Sequence, residues 1–192
     1  MAGVVGEWRR WQAAALPFVR GRDVLELGHG PGHMLLALQN GRFEVVGLDV
    51  SAQMGRLARR RTQRTAPLVQ GRGQHLPFET AVFDTVLATF PTEYVVDPVV
   101  LAEVGRVLRA NGRFVIVPEG HLTGGGALHR FIGWLFLITG QRYPGTGNQT
   151  DAPDASIWQS YLARFEAAGF TMEMSQVQLA ASAVTVLVAQ RL

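Results

Sequence analysis

The 192-residue chain contains no cysteine and no lysine, and it has no long apolar run. Without cysteine there are no disulfides, no thiolate metal ligands and no cysteine nucleophile. The longest apolar run, Phe131 to Ile138, is flanked by Arg130. Spanning a bilayer takes roughly 20 apolar residues, so this run is too short. The first residues place Glu7, Trp8, Arg9, Arg10 and Trp11 together, with no signal-peptide core behind them. The expectation is a soluble, cytoplasmic protein without a secretion signal. Charged residues are only 17% against 47% apolar, which fits a globular chain and excludes a disordered one. Every basic residue is arginine, and the net charge is only +3. Five arginines lie between Arg56 and Arg64. They read as a solvated helix face ahead of a nucleic-acid patch.

The length fits one domain, and no internal repeat is visible. Apolar runs alternate with helical patterns, which predicts an α/β fold with a mostly parallel sheet. The pattern predicts a helix over 4–20 that stops near Pro17, then strands at Asp23–Leu27, Phe43–Leu48, Ala66–Gln70, Phe83–Thr89 and Arg113–Val117. Between them it predicts a helix from Pro31 to about Asn40, one capped by Ser51 that runs to about Arg64, and one from Pro98 through Leu108 ended by Asn111-Gly112. A last helix, Ser156–Ala168, precedes two antiparallel strands at about 170–177 and 183–190. Residues 120–150 break the alternation with a GGG, an apolar helix at about 127–139 and a polar glycine-rich loop, and they read as an insertion.

The chemistry-bearing segment is Val24 to Gly32, VLELGHGPG. Glycines between a strand and a helix let backbone approach a ligand, and the helix start offers free N–H groups. The spacing is G-x-G-x-G, one residue shorter than the dinucleotide fingerprint. Glu26 precedes the first glycine by two residues, and Asp49 follows it by 21 at the end of the second strand. An acid there can accept hydrogen bonds from ribose hydroxyls.

Together with VVGLDVSAQM at 45–54, GRGQHLPF at 71–78, FDTVLATF at 83–90 and EVGRVLRANGRFVIVPE at 103–119, this segment resembles the class I S-adenosylmethionine-dependent methyltransferases. The similarity is to their small-molecule group, related to quinone and sterol methyltransferases. It covers about residues 22–118 and more loosely 156–190. The resemblance implies a Rossmann-like, seven-stranded, mostly parallel sheet of order 3-2-1-4-5-7-6, with strand 7 antiparallel and helices flanking it. It implies a single domain over 1–192 with a substrate-side insertion at about 120–150. S-adenosylmethionine is the cofactor it implies, with S-adenosylhomocysteine as product and no metal. Glu26, Gly28, Gly30 and Gly32 would surround the methionine part. Asp49 would hold the ribose, with Ser51 and Met54 after it and Met54 against the adenine. Thr89 and Phe90 would lie beside the sulfonium. One departure stands out: the family commonly has G-D-A where this chain has Gly71-Arg72-Gly73. Arginine cannot accept the adenine amine. Either Gln74 or a backbone carbonyl replaces the missing Asp, or affinity is reduced; Arg72 could instead stack on the base.

Methyl transfer from a sulfonium gains much from positioning alone, although a hydroxyl acceptor also benefits from a base. Candidate bases are His29, His33, Glu93, Tyr94, Glu119, His121 and His129. Glu93 and Tyr94 follow the fourth strand and His121 follows the fifth, so these three are put forward as catalytic. His29 reads as packing on the cofactor's edge and His129 as a helix-surface residue. Trp8 and Trp11 could cover the cofactor from the N-terminal side. The apolar insertion helix has three readings: packing, a lid over an apolar acceptor, or membrane-surface contact, ranked in that order. The leading expectation is a methyltransferase for a small apolar or aromatic acceptor, with no oligomeric state assigned. A nucleic-acid (RNA) methyltransferase ranks lower, because ATFPTE lacks the Asn/Asp-Pro-Pro-aromatic signature and the absence of cysteine excludes the usual C5-pyrimidine route. A non-catalytic cofactor-binding module is the third reading, supported by Arg72. A dehydrogenase is disfavoured by the glycine spacing and Glu26.

Overall fold

A computed structural model describes residues 2–91, 93–118, 120–122, 155–180 and 182–192. Strand β1 (Asp23–Leu27) is apolar on both faces except at its first residue, Asp23, and at the buried Glu26, as suits a central parallel strand. It pairs with β2 (Glu44–Asp49) and with β4 (Phe83–Thr89), both parallel. A short β3 (Leu68–Gln70) completes one edge beside β2. It starts two residues later than the sequence pattern predicts; Pro67, just before it, has no N–H to donate to a ladder.

Helix α1 (Ala2–Ala13) ends before the predicted stop, and a 3-10 turn over Leu16–Phe18 carries Pro17. Helix α2 (His33–Asn40) buries Met34, Leu35 and Leu38, spaced to share one face. The expected Ser51 cap of α3 (Ala52–Arg61) is present: its hydroxyl accepts the Met54 N–H at 3.3 Å. Only Ala58 of α3 is buried, and Arg59, Arg60 and Arg61 fill its last turn, where cations suit the helix dipole. Helix α4 (Pro98–Val107) is capped by Asp97 and buries Val100, Leu101, Val104 and Val107.

Beyond α4 the observed chain differs from the expected one. The helix ends at Val107, beside the expected Leu108, but the backbone turns extended at once, and β5 runs from Leu108 to Val117 where the pattern predicts Arg113–Val117. Asn111 has φ +61 and sits in an irregularity where the register jumps from Phe83↔Leu108 to Thr85↔Arg113. A turn signal thus serves inside a bulged strand instead of at a helix end. The insertion opens as a further strand, β6 (Gly120–Leu122). The expected apolar helix at 127–139 lies outside the described residues. Helix α5 (Ala155–Ala167), β7 (Phe170–Gln178) and β8 (Ser182–Arg191) follow as expected, with β7 and β8 antiparallel.

Among the described residues the sheet has eight strands, ordered β3-β2-β1-β4-β5-β8-β6, with β7 also on β8. Both β5 and β6 pair with β8, at Ile116↔Leu187 and Gly120↔Val184. Counted as one interrupted strand, they leave the seven-stranded order 3-2-1-4-5-7-6, with the last strand antiparallel. One core lies between the sheet and α4 and α5, with Leu25, Leu27, Val86, Leu101 and Phe165. The other, with Val24, Leu35, Leu87, Trp11 and Val115, lies under α1 and α2. Side chains alternate along a strand, so Glu26 shares the α1–α2 face with Val24. Trp11 fixes α1 to β8 by a 2.8 Å bond from its indole N–H to the Ser182 hydroxyl, which donates in turn to Glu7. Among the described residues, no helix is long and apolar enough to cross a membrane.

At the end of the sheet away from the glycine loop, Asp84 accepts the N–H groups of Arg22 and Asp23 at 2.7 and 2.9 Å. Arg109 bridges Asp84 and Asp23. Burial opposes ionisation of Asp84, but the N–H bonds and the Arg109 guanidinium outweigh it and hold the carboxyl below its ordinary value. A depressed folded pKa stabilises the fold above the ordinary Asp range, and that stabilisation is lost as pH falls through the folded value. Asp84→Asn is therefore expected to cost about 1 kcal/mol at neutral pH in urea unfolding. Its difference from the parent protein should shrink as the medium is acidified below the ordinary Asp range.

Candidate active site

Parallel pairing sets Leu27 opposite Leu48 and Glu26 opposite Leu87, so the carboxyl ends of β1, β2 and β4 open on one rim. The glycine loop leaves β1 there. Gly28 and His29 donate to the Leu48 carbonyl at 2.7 and 3.3 Å, and Gly30 donates to Asp49 Oδ2 at 2.8 Å. The other oxygen of Asp49 accepts the Ser51 N–H at 2.8 Å. One carboxylate therefore ties the loop to the start of α3. Gly28 and Gly32 adopt φ +75 and +81. A Cβ on Gly28 would lie 2.8 Å from the Tyr94 hydroxyl, and one on Gly32 would lie 2.9 Å from the Ala58 Cβ. Only glycine fits both the backbone and the space.

Beside the loop lies a cleft of about 380 Å³, whose lining includes Gly28, Asp49, Val50, Arg72, Thr89 and Tyr94. Gly73, Gln74, Phe90 and Pro91 also line it. Thus Gly28, Asp49, Arg72, Gly73, Thr89, Phe90 and Tyr94 are brought together. Ser51 acts as a helix cap, and the half-buried Met54 does not line the cleft. An apolar residue that does line the cleft is Val50, 59% exposed on its wall. The sequence reading passed over it; the available signal was an apolar residue directly after Asp49, where the strand ends and the side chain has no core to enter.

Glu26 is 1% exposed; neither carboxylate oxygen makes a well-formed hydrogen bond among the described residues, and only the Leu35 backbone N–H acts on it, weakly favouring the ionised form. Burial, and then the nearby Asp49 carboxylate, push its carboxyl well above the ordinary range. A buried polar group without a partner is costly. The tyrosine hydroxyl of Tyr94 makes only a long 3.5 Å contact to the Leu27 carbonyl. Burial, then Asp49 and Glu26, push it up to about 12, so it stays protonated at neutral pH and is not a base.

Gln74 donates its amide N–H to Asp97 at 3.2 Å, which leaves its carbonyl oxygen as an acceptor near the exposed Arg72. Phe90 has φ +51, uncommon for an aromatic residue, and donates its N–H to the Val117 carbonyl. Its ring stacks on Trp8 at 4.0 Å, and Trp11 stands 6.2 Å away. Trp8 thus stacks on Phe90, while Trp11 is buried against β8. His29 is 4% exposed, with Nδ1 2.7 Å from the Gly30 carbonyl and its ring over Gly47. It packs on β2, and its ring is spent on the loop. His33 lines a separate crevice between α1 and α2. Glu93 opens a 3-10 turn with Tyr94, and His121 pairs with Ala183 through β6. Their side chains lie outside the described residues, as do Glu119 and His129.

Residues 25–116 match the family described as a methyltransferase domain. The chain is 32% identical over 159 residues to a demethylmenaquinone methyltransferase of Thermobifida fusca, covering 80% of this chain and 66% of that one. It is 37% identical over 121 residues to a phosphatidylethanolamine N-methyltransferase of Cereibacter sphaeroides, covering 60% and 59%. The chain thus spans under two thirds of these relatives' own length. A Thermotoga maritima crystal structure described as an SAM-dependent methyltransferase, possible histamine N-methyltransferase, shares the fold with a TM-score of 0.61 at 16% identity. That alignment covers 96% of this chain and 92% of the other.

The Gly28–Tyr94 contact can be tested by stability alone. Gly28→Ala is expected to cost about 1–3 kcal/mol, from the positive φ and the collision with the hydroxyl. In a Tyr94→Phe background the cost should fall measurably in chemical denaturation. Strict additivity would show that the hydroxyl is not the obstacle.

Proposed function

The chain belongs to the class I S-adenosylmethionine-dependent methyltransferases, and on that premise we propose that it methylates a small apolar or aromatic acceptor. The observation that carries the cofactor half of this reading is Glu26, a buried carboxyl without a well-formed hydrogen bond beside a glycine loop. It fits the ammonium of a methionyl group. When bound, S-adenosylmethionine supplies a methyl group on a sulfonium and leaves as S-adenosylhomocysteine. Gly28 lets the backbone lie close to the ligand. Asp49 keeps lone pairs for ribose hydroxyls beyond those used by Gly30 and Ser51. Val50 offers an apolar surface to the base, and the free Gln74 oxygen stands in for the acceptor that Arg72 cannot supply.

Phe90, with Trp8 stacked behind it, supports an apolar acceptor at the end of β4. The two relatives named for demethylmenaquinone and phosphatidylethanolamine point to the same chemical class. Tyr94 keeps its proton and serves as a donor and spacer. Positioning then carries most of the rate, with Glu93 and His121 the candidates to take a proton from a hydroxyl acceptor.

Titration calorimetry with S-adenosylhomocysteine tests the cofactor. The parent protein should bind, and Asp49→Ala should weaken binding about tenfold or more, as expected for losing hydrogen bonds to a charged group. Absence of binding by the parent protein would overturn the proposal.

A further inference from the structure

Two unpaired groups on α1 have no role in the cleft as described. The amide nitrogen of Gln12 donates to the Thr89 hydroxyl at 3.2 Å, while its buried oxygen has no partner among the described residues. Thr89 lies two residues beyond Leu87, the register partner of Glu26, and so on the same face. Three buried acceptor oxygens, one from Gln12 on α1 and two from Glu26 near the end of β1, therefore lack a well-formed hydrogen bond among the described residues.

One turn earlier on α1, at i−3 and thus on the same face, stands Arg9. With Gln12, His33 and Arg61 it lines a crevice of about 290 Å³ between α1 and α2. Among the described residues no carboxylate pairs with Arg9 or Arg61. Arg61 donates to the Pro31 carbonyl within the glycine loop. Burial, then Arg61 and Arg9, hold His33 below its ordinary value, as expected where cations gather without an anion. An excess of acceptors thus adjoins an excess of donors, and Gln12 belongs to both.

We propose that the Arg9–Gln12 face of α1 reads the amino-acid end of the cofactor: the Gln12 oxygen joins Glu26 on the ammonium, and Arg9 joins Arg61 on the carboxylate. This rests on the cofactor reading given above. A zwitterion offers a cation to the acceptors and an anion to the arginines, which neither a simple anion nor a simple cation does. The first helix then acts as a clamp on the cofactor as well as a cover for the sheet.

Calorimetry with two ligands separates the possibilities. S-adenosylhomocysteine carries the amino-acid end; 5′-methylthioadenosine lacks it and keeps the ribose and base. Gln12→Ala and Arg9→Ala should each weaken S-adenosylhomocysteine about tenfold and leave 5′-methylthioadenosine within about twofold. Arg9 is exposed and Gln12 only half-buried, so both variants keep the core intact. Equal losses for both ligands would make α1 merely structural and overturn the inference, as would unchanged binding of S-adenosylhomocysteine. Failure of the parent protein to bind either ligand would instead overturn the cofactor reading itself.

Discussion

Two carboxylates end adjacent parallel strands, and only one of them is paid in hydrogen bonds. Asp49 accepts two backbone N–H groups, from Gly30 and Ser51, and so organises the loop and the start of α3. Glu26, more deeply buried, has no well-formed bond among the described residues, only the weak influence of the Leu35 N–H. An ionised carboxylate in that position is costly, and the neighbouring Asp49 charge makes it more so. The folded pKa of Glu26 lies above its unfolded value. Its contribution to stability is therefore fully present below the ordinary Glu range and is lost as pH rises toward the raised value. Such a group is tolerated where a cationic ligand completes it. The rest of the rim follows from this asymmetry. The loop turns its N–H groups toward Leu48 and Asp49, away from Glu26, and only glycine at Gly28 and Gly32 allows the required backbone and clearance.

The framework was readable in the sequence because its determinants are local. DVLEL and FDTVLAT are buried apolar strands with matching bounds, and Ser51 caps α3 as its residue type requires. The strand order came from the resemblance, and hydrogen bonding among the described strands agrees with it. The misreadings arose where tertiary context overrides a local signal. Asn111-Gly112 looks like a helix stop, but Val107 and Leu108 are both fully buried and β5 must begin there to pair with Phe83. The three-residue β6 exists only because β8 offers it an edge, which nothing in Gly120–Leu122 announces.

The candidate site divides in the same way. Residues on the loop and strand ends (Gly28, Asp49, Thr89, Phe90) reach the cleft because motif spacing fixes strand ends. Met54, on a capped helix, does not line the cleft, while the strand end leaves Val50, to which the motifs assign no role, on its wall. Gln12 and Arg9 could not be found by motif. Their relation to Glu26 depends on how α1 docks, and that docking is set by Trp11, Ser182 and Glu7, far apart in the chain. Tyr94 lines the cleft, but burial and then two nearby carboxylates, none of which its sequence position announces, keep its proton in place.

The central claim is that Glu26 awaits a cation. Between the ordinary Glu range and its raised value, the unliganded side chain is largely protonated, and a ligand ammonium should ionise it. Binding of S-adenosylhomocysteine should then release a proton, measured by titration calorimetry in buffers of different ionisation enthalpy. Net release in the parent protein that disappears in Glu26→Gln is the predicted result. No release in the parent protein, or the same release in the variant, would contradict the account.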